Sequence, residues 1–128
     1  MDFGLNVGFK DGFALWQVDH AFQMILERAP DSVERLGRQN YELYFETEDL
    51  EGASSHLLEA GVEFVHPLRE QPWGQRVFHV YDPDGHIVEL GEPMSAVIAR
   101  LLGKGMSAEA VAERTAMPLE IVQQIANG

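Results

Sequence analysis

Residues 81–90 read YDPDGHIVEL, and this stretch decides the fold of the chain. Its segment Asp82-Pro83-Asp84-Gly85 predicts a tight turn, because proline pre-sets the second turn position and glycine suits the last. The residues that follow, 86–90, have the composition of a β-strand, and Pro93 ends it. Residues 76–81 form a second apolar run before the turn, so the whole segment predicts a β-hairpin.

The residues before this hairpin predict a strand, a helix and a further strand. Apolar and polar side chains alternate over residues 41–46, which is the period of a half-buried strand. Residues 50–60 place their leucines on one helical face after a capping Asp49 or Thr47. A short strand is expected at 62–65 and a loop at 67–74. The order from residue 39 to residue 92 is therefore βαβββ.

The two ends of the chain differ from this middle block. Residues 3–18 predict two short strands joined at Asp11-Gly12, and residues 21–38 predict a short helix with a second turn at 32–36. The tail is rich in Ala, Leu, Ile and Glu. It predicts three short helices, at about 95–102, 107–116 and 118–126.

The opening hairpin overlays on the closing one, although chance is an alternative because few residues match. Residues 11–16 align with residues 84–89, and the same offset pairs Val7 with Val80. The fold class predicted is thus α+β, with a complete module at 39–92, a partial one at 1–38 and a helical extension at 93–128. The partial module leaves a sheet edge and an apolar face uncovered, so we expect a homodimer or cover by the tail.

The amino-acid composition argues against several classes of function. The 128 residues include no cysteine, which excludes disulfides and thiolate chemistry and suits a cytoplasmic protein. A formal net charge of −12 disfavours nucleic-acid binding. The last predicted helix also lacks the Lys and Arg that a helix-turn-helix reader needs. No apolar run approaches the length of a membrane span.

The middle block resembles the second βαβββ module of the vicinal oxygen chelate superfamily, which includes glyoxalases, bleomycin-resistance proteins and extradiol dioxygenases. The resemblance rests on residues 42–50, 58–62 and 73–76, and on the Asp-Pro-Asp-Gly turn followed by Glu89-Leu90. Residues 3–7 and 12–15 are similar to the end of the first module. This implies a curved mixed sheet around a cavity that often holds a divalent metal ion, such as Fe, Mn, Zn, Ni or Mg.

The resemblance also implies which positions would hold that metal. Glu89 stands at the ligand position of the last strand and is the candidate catalytic residue, while Glu42 stands where the first strand of the module most often carries His. The matching position of the partial module is Trp16, or alternatively Gln17, and tryptophan cannot ligate. Strand alternation independently places Glu42 and Glu89 on the face away from the helix, although a solvated face remains the alternative for Glu42.

Five further residues are candidates for ligand binding. Trp16, Tyr44 and Trp73 would suit an apolar or aromatic ligand, with burial in the core as the alternative for the tryptophans. Arg76 could hold a substrate carboxylate or pair with Glu89. His79 lies in an apolar strand, either as a site residue or as a structural histidine. His66 is predicted in a loop at the surface.

Three functions remain open from the sequence. The first is a small cytoplasmic enzyme, a divalent-metal-dependent lyase, isomerase or dioxygenase acting on a small molecule. The second is a metal-free protein that sequesters a small molecule, as drug-binding bleomycin-resistance proteins do. The third is a largely structural copy of such a domain. The incomplete ligand set leaves open whether the chain is an enzyme, and the sequence names no substrate.

Overall fold

The structure is a computed structural model that describes residues 1–8, 10, 12, 14–30 and 39–128. The described residues form six strands and five helices. In chain order these are β1 (Asn6–Gly8), β2 (Ala14–Trp16), α1 (Val18–Leu26), β3 (Glu42–Glu46), α2 (Leu50–Glu59), β4 (Phe64–Glu70), β5 (Arg76–Tyr81), β6 (Ile87–Gly91), α3 (Met94–Gly103), α4 (Ala108–Thr115) and α5 (Leu119–Asn127). The α+β class predicted from the sequence is confirmed.

Four of the strands form a mixed sheet in the order β3-β6-β5-β4. The closing hairpin pairs β5 with β6 antiparallel, and β3 lies parallel to β6 on the other side. The Asp82 carboxylate closes the turn of this hairpin by accepting hydrogen bonds from the backbone N–H groups of Asp84 and His86, both at 2.8 Å. β1 and β2 pair antiparallel as a separate two-stranded sheet.

Helix α2 covers one face of the four-stranded sheet. Its N-cap Asp49 accepts a hydrogen bond from the backbone N–H of Gly52, as its position in the sequence predicts. The helix packs Leu50 against Phe78 and Val80, which are all buried. Helix α1 contacts the sheet at its edge strand β4, where the Arg69 guanidinium donates to the Met24 carbonyl and pairs with Glu27.

The C-terminal helices have a core of their own. Val97, Ile98, Leu101, Val111 and Val122 are buried against one another. An ionic network attaches this helical unit to the sheet, with Arg100 of α3 paired to Glu92 and Arg114 of α4 paired to Glu70. Every helix of the described ranges falls short of the length and apolarity that crossing a membrane requires.

Strand β4 departs from the sequence prediction. Residues 67–70, predicted as the beginning of a loop, continue the strand up to Glu70. β4 is an edge strand, and its pairing with β5 shifts register between Phe64 and His66 and again between His66 and Arg69. Edge strands and bulges are where a sheet accommodates proline, so Pro67 interrupts the sequence pattern without ending the strand. The turn predicted at 32–36 lies outside the described residues.

Candidate metal centre

Three strands direct one acidic or imidazole side chain each toward the same point on the sheet face opposite α2. His79 of β5 and Glu89 of β6 are register partners, and Glu89 also lies opposite Tyr44 of β3. Glu42 precedes Tyr44 by two residues and therefore shares its face. Phe78, by contrast, packs toward α2. The strand alternation that predicted Glu42 and Glu89 on one face thus agrees with the observed register.

The three side chains form a compact cluster. One ligand atom from each lies within 4.8 Å of the others. His79 Nε2 is 3.3 Å from Glu42 Oε2 and 3.6 Å from Glu89 Oε2. His79 is only 2% exposed and Glu89 8%, whereas Glu42 is partly open to solvent. The cluster is therefore desolvated on the inside and accessible from the β3 side.

Two atoms of the cluster bear on whether a metal ion fits. Glu42 Oε2 and His79 Nε2 are both buried and have no hydrogen-bond partner, although they lie close together. Unsatisfied buried polar atoms are costly, and a cation between them would satisfy both. One imidazole nitrogen and two carboxylates are a donor set suited to Mn, Fe, Ni, Zn or Co ions. The residues present therefore fit a divalent metal.

The charges of the cluster shift its protonation. Burial lowers the pKa of His79, but the Glu42 and Glu89 carboxylates outweigh it and raise the pKa to about 9. Burial raises the pKa of Glu89. Without a metal ion, a proton on the His79 imidazole would hold the two carboxylates together. Either a proton or a metal ion can therefore neutralise this cluster.

His66 extends the cluster away from the carboxylates. Its Nε2 lies 2.6 Å from His79 Nδ1, and its Nδ1 lies 2.8 Å from the Pro67 carbonyl oxygen. His66 is only 6% exposed, which makes the predicted surface position wrong. Burial lowers the pKa of His66 to about 4, so this ring is neutral. The prediction failed because residue 66 lies in β4 and not in a loop, at a register shift that the sequence pattern does not reveal.

The predicted binding residues Tyr44, Trp73 and Trp16 lie near one another. Hydrogen bonds through Gln75 join the first two, and a ring contact joins Trp16 to Trp73. The Tyr44 hydroxyl accepts a hydrogen bond from Gln75 Nε2 at 3.0 Å and donates to Glu46 Oε1 at 3.1 Å. Gln75 Oε1 in turn accepts from Trp73 Nε1 at 3.0 Å. Trp73 meets Trp16 edge to face, with 6.1 Å between ring centroids. Gln75 connects these groups and had no predicted role.

Arg76, the fourth predicted binding residue, lies on the opposite face of the sheet from the metal cluster. It shares the α2 face with Phe78 and pairs with Glu51 of that helix and with the buried Glu92. These carboxylates raise the pKa of Arg76 and fix its charge on the far side of the sheet. The structure therefore places Arg76 neither against Glu89 nor facing the candidate metal centre. The reason is strand alternation, since residue 76 and residue 79 point to opposite faces.

Comparisons with known proteins show one family match and several similar solved structures. The model of the glyoxalase-like domain family matches residues 1–95. Among solved structures, a protein of unknown function from Agrobacterium tumefaciens is 44% identical, with a TM-score of 0.42, over 73% of this chain and 71% of that one. A glyoxalase/bleomycin resistance protein/dioxygenase superfamily member from Sphaerobacter thermophilus is 39% identical, with a TM-score of 0.38, over 40% of this chain and 41% of that one.

The fosfomycin resistance protein FosX from Mesorhizobium loti is 15% identical, with a TM-score of 0.38, over 58% of this chain and 78% of that one. A search of the curated proteins finds no match. The family match covers most of the chain, so the protein belongs to the glyoxalase-like domain family, within the vicinal oxygen chelate superfamily. This membership supports a role in binding or modifying a small molecule.

Proposed function

We propose that the protein is a metal-dependent enzyme of small-molecule metabolism, a lyase, isomerase or dioxygenase, with its metal site at Glu42, His79 and Glu89. The observation that carries the proposal is the pair of buried, unpartnered atoms, Glu42 Oε2 and His79 Nε2, within a cluster that spans 4.8 Å. Structural metal sites are closed by four protein ligands, whereas catalytic sites keep a position open. Three ligands from this chain leave such a position.

The chain's own residues have separate tasks in this proposal. The two carboxylates and the His79 imidazole hold the ion, which when bound supplies a Lewis acid for oxygen atoms of the substrate. Tyr44 offers a hydroxyl next to Gly91 on the same sheet face, and Gln75 links it to Trp73, which forms an apolar wall with Trp16. Sheet strands hold the metal ligands, which keeps their positions fixed.

Thermal unfolding of the EDTA-treated protein tests the metal site. Mg, Mn, Fe(II), Co, Ni and Zn salts are added separately, and a metal at 100 times its dissociation constant should add about 2.7 kcal/mol, a shift of several degrees. The shift should disappear in Glu89→Gln and persist in the control Glu59→Gln, which changes an exposed glutamate on α2. The proposal fails if no metal shifts the midpoint of the wild-type protein.

A metal-free binding protein is the second candidate, and the Trp16–Trp73 contact favours it. A protonated His79 would then satisfy the carboxylates, and the two indoles would bind a planar apolar ligand. Tryptophan fluorescence should report binding of aromatic and drug-like compounds. Trp73→Ala should abolish this fluorescence signal, and Glu89→Gln should leave it nearly intact. If the protein is a metal-dependent enzyme, Glu89→Gln should instead be the change that abolishes metal binding.

We further propose that the protein forms a homodimer through β3. Within the described ranges, β6 is the strand that pairs with β3, and the other edge of β3 carries no partner. Tyr41, Leu43 and Phe45 line one side of this edge and are 57%, 42% and 55% exposed. The chain contains one complete βαβββ module, and a second copy would supply the pairing strand and cover these side chains.

A further inference from the structure

The hydrogen bonds of His66 determine which nitrogen of His79 carries a proton. The Pro67 carbonyl oxygen can only accept, so His66 Nδ1, at 2.8 Å from it, carries the hydrogen. Both hydrogen-bond partners of this buried ring are uncharged groups, a carbonyl and a second imidazole, and burial disfavours a charged ring, so His66 is neutral and its Nε2 is an acceptor. His79 Nδ1, at 2.6 Å from that atom, must therefore be the donor.

This direction leaves His79 Nε2 free to act as a ligand. When a metal ion replaces the proton that the carboxylates otherwise hold on Nε2, the hydrogen at Nδ1 stays, and Nε2, which lies 3.3 Å from Glu42 and 3.6 Å from Glu89, presents its lone pair to the ion. Both rings are buried, with centroids 4.6 Å apart, so neither can turn to solvent for another partner. The opposite tautomer would place a hydrogen where a metal ion must bind.

The backbone of β4 explains why His66 is available for this contact. His66 is the register partner of His79, and a register shift lies on each side of it. Bulges re-aim side chains at sheet edges. The two shifts coincide with the residue that faces His79, and the Pro67 that follows supplies the carbonyl acceptor.

We propose that His66 is a positioning residue of the metal centre, which orients the His79 ring and fixes it in the tautomer with Nε2 as the ligand atom. This inference rests on the metal site of the proposed function. Partners of this kind beyond the ligands themselves are typically worth 10- to 100-fold in metal affinity. His66 itself does not touch the ion.

The test compares variants that keep or remove the acceptor. His66→Phe removes it and should weaken Mn²⁺ and Zn²⁺ binding, measured by calorimetric titration, by about 10- to 100-fold. His66→Gln keeps a side-chain oxygen that can accept from His79 Nδ1–H and should stay within about threefold of the wild type by the same reasoning. His56→Phe is the matched control, because it removes an exposed histidine of α2 and should bind as the wild type does.

A second measurement does not depend on affinity. In the Zn²⁺-loaded wild-type protein, ¹H–¹⁵N correlation spectra of the histidine rings should show a protected Nδ1–H on His79 and a metal-bound Nε2. The tautomer should persist in His66→Gln. In His66→Phe the Nδ1–H signal should lose its protection while the backbone amide spectrum stays that of the folded wild type, which separates loss of the acceptor from loss of the fold.

The outcomes separate this inference from the proposed function. If the wild type binds metal and His66→Phe binds it as tightly, His66 is not a positioning residue although the metal site stands. A wild type that binds Mn²⁺ or Zn²⁺ through His79 Nδ1 overturns the inference in the same way. A wild type that binds none of Mg, Mn, Fe(II), Co, Ni and Zn overturns both proposals together.

Discussion

Gly91 of β6 packs closely against the side chains of Tyr44 and Gln75. A Cβ atom at this position would lie 2.9 Å from Gln75 Nε2 and 3.0 Å from the Tyr44 ring. Gly91→Ala should therefore displace both side chains and destabilise the protein by about 1–3 kcal/mol, as overpacking does. Urea unfolding measures the loss, and the emission of Trp73, which donates to Gln75, reports the displacement.

Gly103 is the control for this substitution. A Cβ atom there meets nothing within 4 Å, and the residue ends helix α3. Gly103→Ala should leave the tryptophan emission unchanged and raise stability by up to about 1 kcal/mol, since alanine is the better helix former. Equal effects of the two substitutions would show that Gly91 is not a steric requirement of the site.

Individual site residues differ in how far the sequence could predict them. Glu42 and Glu89 followed from strand alternation, because their strands are regular. The same alternation, applied to residue 76, places Arg76 on the face away from Glu89. The sequence therefore contained the information that argues against a pair between Arg76 and Glu89. His66 was not predictable, because the two register shifts of β4 arise from pairing with β5 and leave no mark in the sequence pattern.

One buried carboxylate takes part in the ionic network that connects the sheet to the helical unit. Glu92 follows β6 and is 4% exposed, and it pairs with Arg76 of β5 and Arg100 of α3. Glu92→Gln should destabilise the protein by about 2 kcal/mol, less than a fully buried pair costs because both arginines reach solvent. Glu51→Gln is the control: Glu51 pairs with the same Arg76 but is largely exposed, so its loss should cost under about 1 kcal/mol.

The Glu92 carboxylate should also make the free energy of unfolding depend on pH in the acid range. Burial would raise the pKa of Glu92, but its hydrogen bonds from Arg76 and Arg100 lower it overall from 4.5. The stabilisation is complete above the pKa of the unfolded chain and is lost as pH falls through the lower folded value. Urea unfolding at pH 7 and at pH 3 should show a smaller acid loss in Glu92→Gln than in the wild type. An equal loss would assign the acid sensitivity to other groups.

At the level of elements, prediction succeeded where local signals coincide. The Asp-Pro-Asp-Gly turn predicted the positions of β5 and β6, and capping residues predicted the starts of α2 and α4. At the start of α4, Ser107 accepts a hydrogen bond from the Ala110 backbone N–H. Strand β4 was cut short because Pro67 and a polar run follow its first residues. Which strands pair across long separations was available only through the family resemblance, because local sequence carries no information about partners.

At the scale of the whole molecule, the proposed dimer would bury the apolar edge formed by β3. Phe45→Glu places a charge on that edge and should shift the protein from dimer to monomer in sedimentation equilibrium. Leu58→Glu introduces the same charge on the exposed surface of α2, where the leucine is 66% exposed, and should leave the dimer intact. A wild-type protein that sediments as a monomer would contradict the proposal directly.

The parallel pairing of β3 with β6 has a consequence for folding kinetics. Glu42 reaches His79 and Glu89 only when these two strands, distant in sequence, have come together. Non-local pairings of this kind form late, so the metal ligands should still be apart in the folding transition state. Saturating metal should then slow unfolding and leave the refolding rate unchanged, moving one arm of the chevron plot alone.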